Sequence, residues 1–319
     1  MGRNFSTQNE ILLESPFQIE DLMVFDERAL QRILGGAFGV TIDHLAQSVQ
    51  GAPEAVVRRL KSNLALEQVP RFMQMLHDPL TEEGIASMRH HVLQKLFWEL
   101  TYWKTPELYE ELTEGEQLHP GIFQQLEPDI RGKTVLDVGA GSGRASLECL
   151  RHGAAWVYAL EPSPGLRRIL EQKRLQYPWA SSMTPCAGYF DALPLEENSV
   201  DMALSCSAFT ALPEQGGEAG LAELKRVTRA GGKAVVIWPR IQDRSWLRSR
   251  GFQYVTLPIL QEMSLHFRSL QSALRCASRF YAQNQAVMHF ILSRQEQEIP
   301  FSVIGINPPC DYCWLEVKK

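Results

Sequence analysis

Apolar residues recur at helical spacing from Phe17 to about Leu100. Leu30, Ile33, Leu34 and Phe38 share one face, Ile42, Leu45, Ala46 and Val49 the next, and Val56, Leu60 and Leu64 a third. The pattern breaks at Gly35-Gly36, Gly51-Ala52-Pro53 and Asp78-Pro79, and Thr41 and Thr81 stand where N-caps belong. This predicts a small all-helical domain over 17–100, preceded by a polar, loosely held segment 1–16. Beyond residue 131 the period changes. Short apolar runs near 134–138, 156–161, 183–188, 200–206, 233–238, 252–257 and 312–317 alternate with helical stretches. Such alternation predicts an α/β domain over 132–319, a seven-stranded parallel sheet with helices on both faces. Residues 101–131 read as a linker with an aromatic helix. A helical insert occupies about 255–310, with Leu265, Leu270, Leu274 and Ala277 inward and a basic edge of Arg268, Arg275 and Arg279.

Length and composition fit this division, since 319 residues with 45% hydrophobic and 22% charged are enough for two cores. The net charge of −5 is unevenly spread: residues 1–130 hold 10 Lys and Arg against 20 Asp and Glu, and the remainder holds 22 against 17. An acidic first part argues against nucleic acid as its partner, because such binding rests on phosphate neutralisation. Cys149, Cys186, Cys206, Cys276, Cys310 and Cys313 lie in apolar stretches with no secretory signal ahead of them, which points to a reducing cytoplasm. Cys310 and Cys313 form a close pair without the second pair or histidines that zinc requires, so no metal is expected. No apolar run approaches the roughly 20 residues needed to cross a bilayer.

The chemistry centres on Val135-Leu136-Asp137-Val138-Gly139-Ala140-Gly141-Ser142-Gly143-Arg144. An apolar strand ending in an acid, then glycines at every second position, then a helix start, makes a turn whose backbone can approach a ligand closely. The dinucleotide fingerprint would need a glycine at position 144, where Arg144 stands. Glu161 closes the second strand, where a carboxylate can accept hydrogen bonds from two ribose hydroxyls. Asp191 and Cys206 fall just past later strand ends, so the acids and the glycine turn converge on one pocket.

The D-x-G-x-G-x-G pattern with Glu161 resembles class I S-adenosylmethionine-dependent methyltransferases. That resemblance implies S-adenosyl-L-methionine as cofactor and an enzyme that moves its methyl group to a small-molecule or protein acceptor. It assigns cofactor binding to Asp137, Gly139, Ala140, Gly141, Gly143, Glu161 and Pro162, with Phe190 packing on adenine, either Tyr189 or Asp191 meeting the adenine amino group, and Cys206 after the fourth strand. Tyr109 and Trp103 are candidates to fold over the cofactor, with interdomain packing as the alternative. Leu204-Ser205-Cys206-Ser207 stands where amide N-methyltransferases carry Asn-Pro-Pro-Tyr. Since the methyl already bears an excellent leaving group, orientation matters more than a base. His119, His266, His289 and Asp243 are the candidate bases, each more simply structural. Apolar residues near the linker and insert suit a hydrophobic acceptor, and the basic edge suits an acidic one.

The helical part invites comparison with a helix-turn-helix, with Arg58, Arg59 and Lys61 on the second helix, but the Ala46 to Gly51 spacing is one residue too long. Phe17 to Leu22, Asp26 to Leu34, Leu45-Ala46 to Gly51-Ala52, and Arg58 to Leu64 together resemble the C-terminal domain of the flagellar rotor protein FliG, a compact armadillo-like unit. The resemblance implies a protein partner met through Asp26, Glu27, Arg28 and Arg32. A non-catalytic adaptor built on the cofactor fold is the rival to an enzyme.

Overall fold

The computed structural model describes residues 16–319. Of the segment expected to be loosely held, residues 1–15 lie outside the described residues. The chain divides into two compact units with a border between Thr105 and Pro106.

The first unit is helical: α1 (Glu27–Leu34), α2 (Ile42–Ser48), α3 (Glu54–Asn63), α4 (Val69–His77), α5 (Glu82–Lys95) and α6 (Phe97–Lys104), with short 3-10 turns between them. Its starts are set locally. Asp26 accepts the Ala29 N–H at 2.8 Å, Thr41 the His44 N–H at 3.2 Å and Thr81 the Gly84 N–H at 3.1 Å, each satisfying a donor the helix cannot. Asp26, expected among the partner-facing charges, is thus the N-cap of α1. Leu30, Leu45, Leu60, Phe72, Leu96 and Leu100 form the buried core. Buried Gln50 donates to the Met75 and Asp78 carbonyls and accepts from Leu80 N–H, tying the break at Asp78-Pro79 to the end of α2. Trp103, one candidate cover for the cofactor, is buried in this core, edge-on to Phe25 at 5.5 Å.

The second unit runs α7 (Pro106–Gly115), α8 (Gly121–Ile130), β1 (Thr134–Val138), α9 (Arg144–Arg151), β2 (Trp156–Leu160), α10 (Pro164–Gln176), β3 (Met183–Cys186), β4 (Val200–Cys206), α11 (Gly217–Val227), β5 (Thr228–Ile237), α12 (Arg244–Ser249), β6 (Gln253–Thr256), β7 (Ser264–His266), α13 (Leu270–Phe280), α14 (Gln285–Arg294), β8 (Glu298–Pro300), α15 (Phe301–Ile304) and β9 (Asp311–Glu316). The main sheet has the order β3-β2-β1-β4-β5-β9-β6. Successive residues of β1 serve opposite faces, as the strand period demands. Val135 packs with Ile122 and Phe123 of α8 and Cys149 of α9, while Leu136 packs with Leu221 and Leu224 of α11. The unit has an α/β Rossmann-like fold, a seven-stranded and mostly parallel sheet between helices.

Three features depart from the sequence expectation. The last strand is antiparallel to both of its neighbours, since β9 inserts between β5 and β6. β5 begins at Thr228, ahead of the run expected near 233–238, and its ladder with β4 shifts register between Val200 and Met202. Residues 106–130, expected in a linker, are two helices of the sheet-bearing unit. The insert also contains a small β7–β8 hairpin.

Candidate functional site

The strand order reverses at β1, whose neighbours β2 and β4 lead the chain to opposite sides. A crevice at the carboxyl ends of such strands is where this architecture takes ligands. There the glycine turn leaves β1 with Gly139 at φ +70°, Gly141 at +57° and Gly143 at +95°, in the left-handed region that side chains disfavour. A Cβ on Gly139 would stand 2.7 Å from Ala208 Cβ, and one on Gly143 would stand 2.6 Å from Leu170 Cδ2. Gly141 is roomier, with Tyr109 of α7 at 3.4 Å from the same position. Ala140 is buried, and its N–H and that of Gly139 both donate to the Leu160 carbonyl, which stitches the turn to the end of β2.

Two buried carboxyls, one before the turn and one after β2, accompany it. Glu161 is buried, and its two oxygens accept the Gly141 N–H at 3.0 Å and the Ser163 N–H at 2.8 Å. Burial pushes its carboxyl up to about 7, against the pull of those two N–H groups. Asp137 accepts the Ser146 hydroxyl at 2.6 Å through one oxygen, and its other oxygen is buried without a hydrogen-bond partner. Burial raises this carboxyl to about 6, the Ser146 hydroxyl opposing. Pro162 is half-buried, and its carbonyl and that of Glu161 accept from Arg167 of α10.

Above the turn lies α7. Tyr109 is the residue nearest Gly141, and burial raises its phenol, Arg144 opposing. Thr113 and Ser142 hydroxyls meet at 3.1 Å, and Lys173 donates to the Ser142 carbonyl at 2.9 Å while pairing with Glu110. Cys206 ends β4 with its sulfur 3.6 Å from the Arg144 guanidinium. Burial raises this thiol too, and the guanidinium pulls the other way. Phe190 lies in the loop after β3 with its ring edge 3.3 Å from the Gly139 Cβ position and T-shaped on Phe209, so it backs the turn from the α11 side. Asp191, next in the chain, is exposed.

The candidate bases lie apart from this cluster. His119 accepts the Gly121 N–H, His266 on β7 stands 3.6 Å from Glu298, His289 is exposed on α14, and Asp243 accepts the Ala211 N–H. Sequence reasoning missed Arg144 as a site residue, together with its partners Glu116, Ser207 and Trp238. Only the acids at 107, 110, 111, 114 and 116 gave a visible signal, as a run along α7 and just past its end. Among the described residues no group of three or more His, Cys, Asp and Glu is arranged to hold a metal, and no helix is long and apolar enough to cross a membrane.

Residues 135–232 match the family model of the methyltransferase domain. The chain is similar to an uncharacterised methyltransferase of Mycobacteroides abscessus, 36% identical over 125 residues, or 36% of this chain and 43% of that protein. It is similar also to the malonyl-[acyl-carrier protein] O-methyltransferase of Methylococcus capsulatus, 35% identical over 120 residues, 37% of this chain and 41% of that one. The chain thus spans less than half the length of these curated relatives. The crystal structure of an S-adenosylmethionine-dependent methyltransferase from Aquifex aeolicus aligns with 47% of this chain and 94% of its own, at 17% identity and a TM-score of 0.34. The family match is confined to residues 135–232, less than half of the chain, and S-adenosylmethionine is the cofactor of such methyltransferases. The match leaves the helical unit outside it.

Proposed function

We propose that this protein is an S-adenosylmethionine-dependent methyltransferase. The observation that carries the reading is the pairing of Asp137 and Glu161 beneath a turn of three left-handed glycines. The turn offers backbone with no Cβ in the way, Glu161 sits at the strand end suited to a diol, and Asp137 keeps one buried oxygen without a partner, as a site for a polar or cationic group would. These features fit a cofactor that is an ammonium-bearing nucleoside. In the reading, Gly139, Ala140, Gly141, Gly143, Asp137, Glu161 and Pro162 hold it, with Tyr109 above, Phe190 and Asp191 at the adenine end, and Cys206 at the methionine end. When bound, the cofactor supplies an electrophilic methyl group on a good leaving group. The chain's own part is to orient the two reactants and exclude water. Calorimetry with S-adenosylmethionine tests this: micromolar binding is expected, and silence at high micromolar concentration rejects it in favour of an adaptor.

The helical unit is proposed as a protein-binding module, supported by its resemblance to the FliG C-terminal domain and by Glu27 and Arg28 lying exposed on α1. Reversing Arg28 and Arg32 to Glu should abolish capture of a partner while leaving the melting temperature nearly unchanged, because rim charges act on association more than on folding.

A further inference from the structure

Arg144 is the first residue of α9, and its side chain reaches across the crevice to the ends of two parallel strands. One arm, Nη1, donates to the Glu116 carbonyl at 2.8 Å and to Glu116 Oε2 at 3.2 Å. The other, Nη2, faces the Cys206 sulfur at 3.6 Å and the Ser207 hydroxyl at 3.3 Å. The guanidinium lies 5.7 Å from the centre of the Trp238 ring. A guanidinium recognises a planar carboxylate through two parallel N–H groups. Here one arm is committed to an internal acid and the other meets only a thiol and a hydroxyl. Around that second arm the backbone is strained. Ser207, directly after β4, has φ +61°, and Trp238, directly after the adjacent β5, has φ +52°. Non-glycine residues in this region persist where the surroundings enforce them, and they gather at ligand sites.

We infer that Arg144, with the Ser207 hydroxyl, anchors an acceptor that presents a carboxylate, and that the methyl group goes to that carboxylate as an ester. The inference rests on the reading of the protein as a methyltransferase. The chemistry on the page agrees with it. The groups around the guanidinium are a thiol and a phenol that burial keeps protonated and an acid already paired, while the histidines and Asp243 are engaged or exposed elsewhere. An acceptor that arrives as an anion needs none of them. One carboxylate oxygen donates a lone pair to the methyl carbon, the carbon–sulfur bond breaks with its pair left on sulfur, and no proton moves. The products are a methyl ester and S-adenosylhomocysteine. Arg144 holds the second oxygen, so it selects and orients the acceptor and does no bond-making itself.

The test uses the full chain with methyl-labelled cofactor and a cell extract as the source of acids. The expected result is label that mild alkali releases as methanol. Label stable to alkali, or no alkali-labile label at all, overturns the inference. Arg144→Gln alone would strand Glu116, so Arg144→Gln with Glu116→Gln is the second variant, its folding checked by melting temperature. Both should lower ester formation by about tenfold or more, as loss of a hydrogen-bonded anchor does, with cofactor affinity in calorimetry changed by less than about threefold. A parallel fall in cofactor affinity would mean that Arg144 holds the cofactor's own carboxylate, and the inference fails. If the unmodified protein binds no cofactor in the same calorimeter, the methyltransferase reading itself is at fault.

Discussion

Gly143 has room for a hydrogen and little else. Its φ of +95° and the 2.6 Å approach of Leu170 to a Cβ position are two separate penalties, so Gly143→Ala should cost about 1–3 kcal/mol in denaturant unfolding. Gly141, with 3.4 Å to Tyr109, carries the conformational penalty without the clash. Gly141→Ala is therefore expected to lose about 1 kcal/mol of stability but proportionally more cofactor affinity, because the added methyl would enter the space proposed for the cofactor. The two buried carboxyls give a pH signature. Glu161, at about 7, and Asp137, at about 6, hold protons more tightly in the folded chain than at their ordinary 4.5 and 3.8. The folded state then binds more protons than the unfolded one between about pH 4 and 7, so stability must fall as pH rises through that window. Each group contributes about 3 kcal/mol that is present below about pH 4 and gone above its own folded value. Ribose hydroxyls donating to Glu161 would favour its ionised form, so cofactor affinity should rise toward pH 7 and then level. Titration calorimetry across pH checks this, and Glu161→Gln should remove the slope.

The helix α7 shows how an element can be visible and yet misassigned. Its four glutamates, and Glu116 just past its end, each pair with a base: Glu107 with Arg168, Glu110 with Lys173, Glu111 with Arg275, Glu114 with Arg268 and Glu116 with Arg144. The pairs of Glu107, Glu111 and Glu114 reach exposed guanidiniums and add little, whereas Glu116 with Arg144 and Glu110 with Lys173 are largely buried. Lys173→Ala leaves that acid uncompensated and should cost about 3–5 kcal/mol, measured by chemical unfolding. The first turn of α7 is seated on Gly165, where a Cβ would stand 2.6 Å from Pro106 Cγ. Gly165→Ala should thus lift Tyr109 and weaken cofactor binding without touching the pocket, as calorimetry can show. The residue pattern made the helix legible but its attachment was not, because its partners lie dozens of residues away on α9, α10 and α13. The same holds for Arg144, which as a letter in the motif meant only a missing glycine. What sequence did reveal was local or periodic: the caps at Thr41 and Thr81, the glycine turn, the strand ends bearing Asp137 and Glu161, and the bounds of β4. The antiparallel β9 was hidden, since a short apolar run carries no sign of direction.

The chain divides its charge at a different place from its cores, because residues 106–130, which hold seven acids and no Lys or Arg, belong to the sheet-bearing unit. Residues 1–130 carry twice as many acids as bases, while the remainder has an excess of bases. Counterion release cannot favour binding of a polyanion to the acidic part, so no band shift with duplex DNA is expected even at low salt; a shift that weakens steeply with salt would contradict this. Within the sheet-bearing unit, Thr256 and Asp311 are paired neighbours on β6 and β9, and Leu257 N–H donates to the Cys310 carbonyl. The chain leaves the sheet after β6 and, with 54 residues between, returns beside its point of departure. A turn of a few residues would close that gap, and loop closure grows only slowly more costly with length. Replacing the whole excursion by such a turn would keep β6 and β9 closed on one another while depriving α7 of Arg268 and Arg275, the fastenings the excursion lends it.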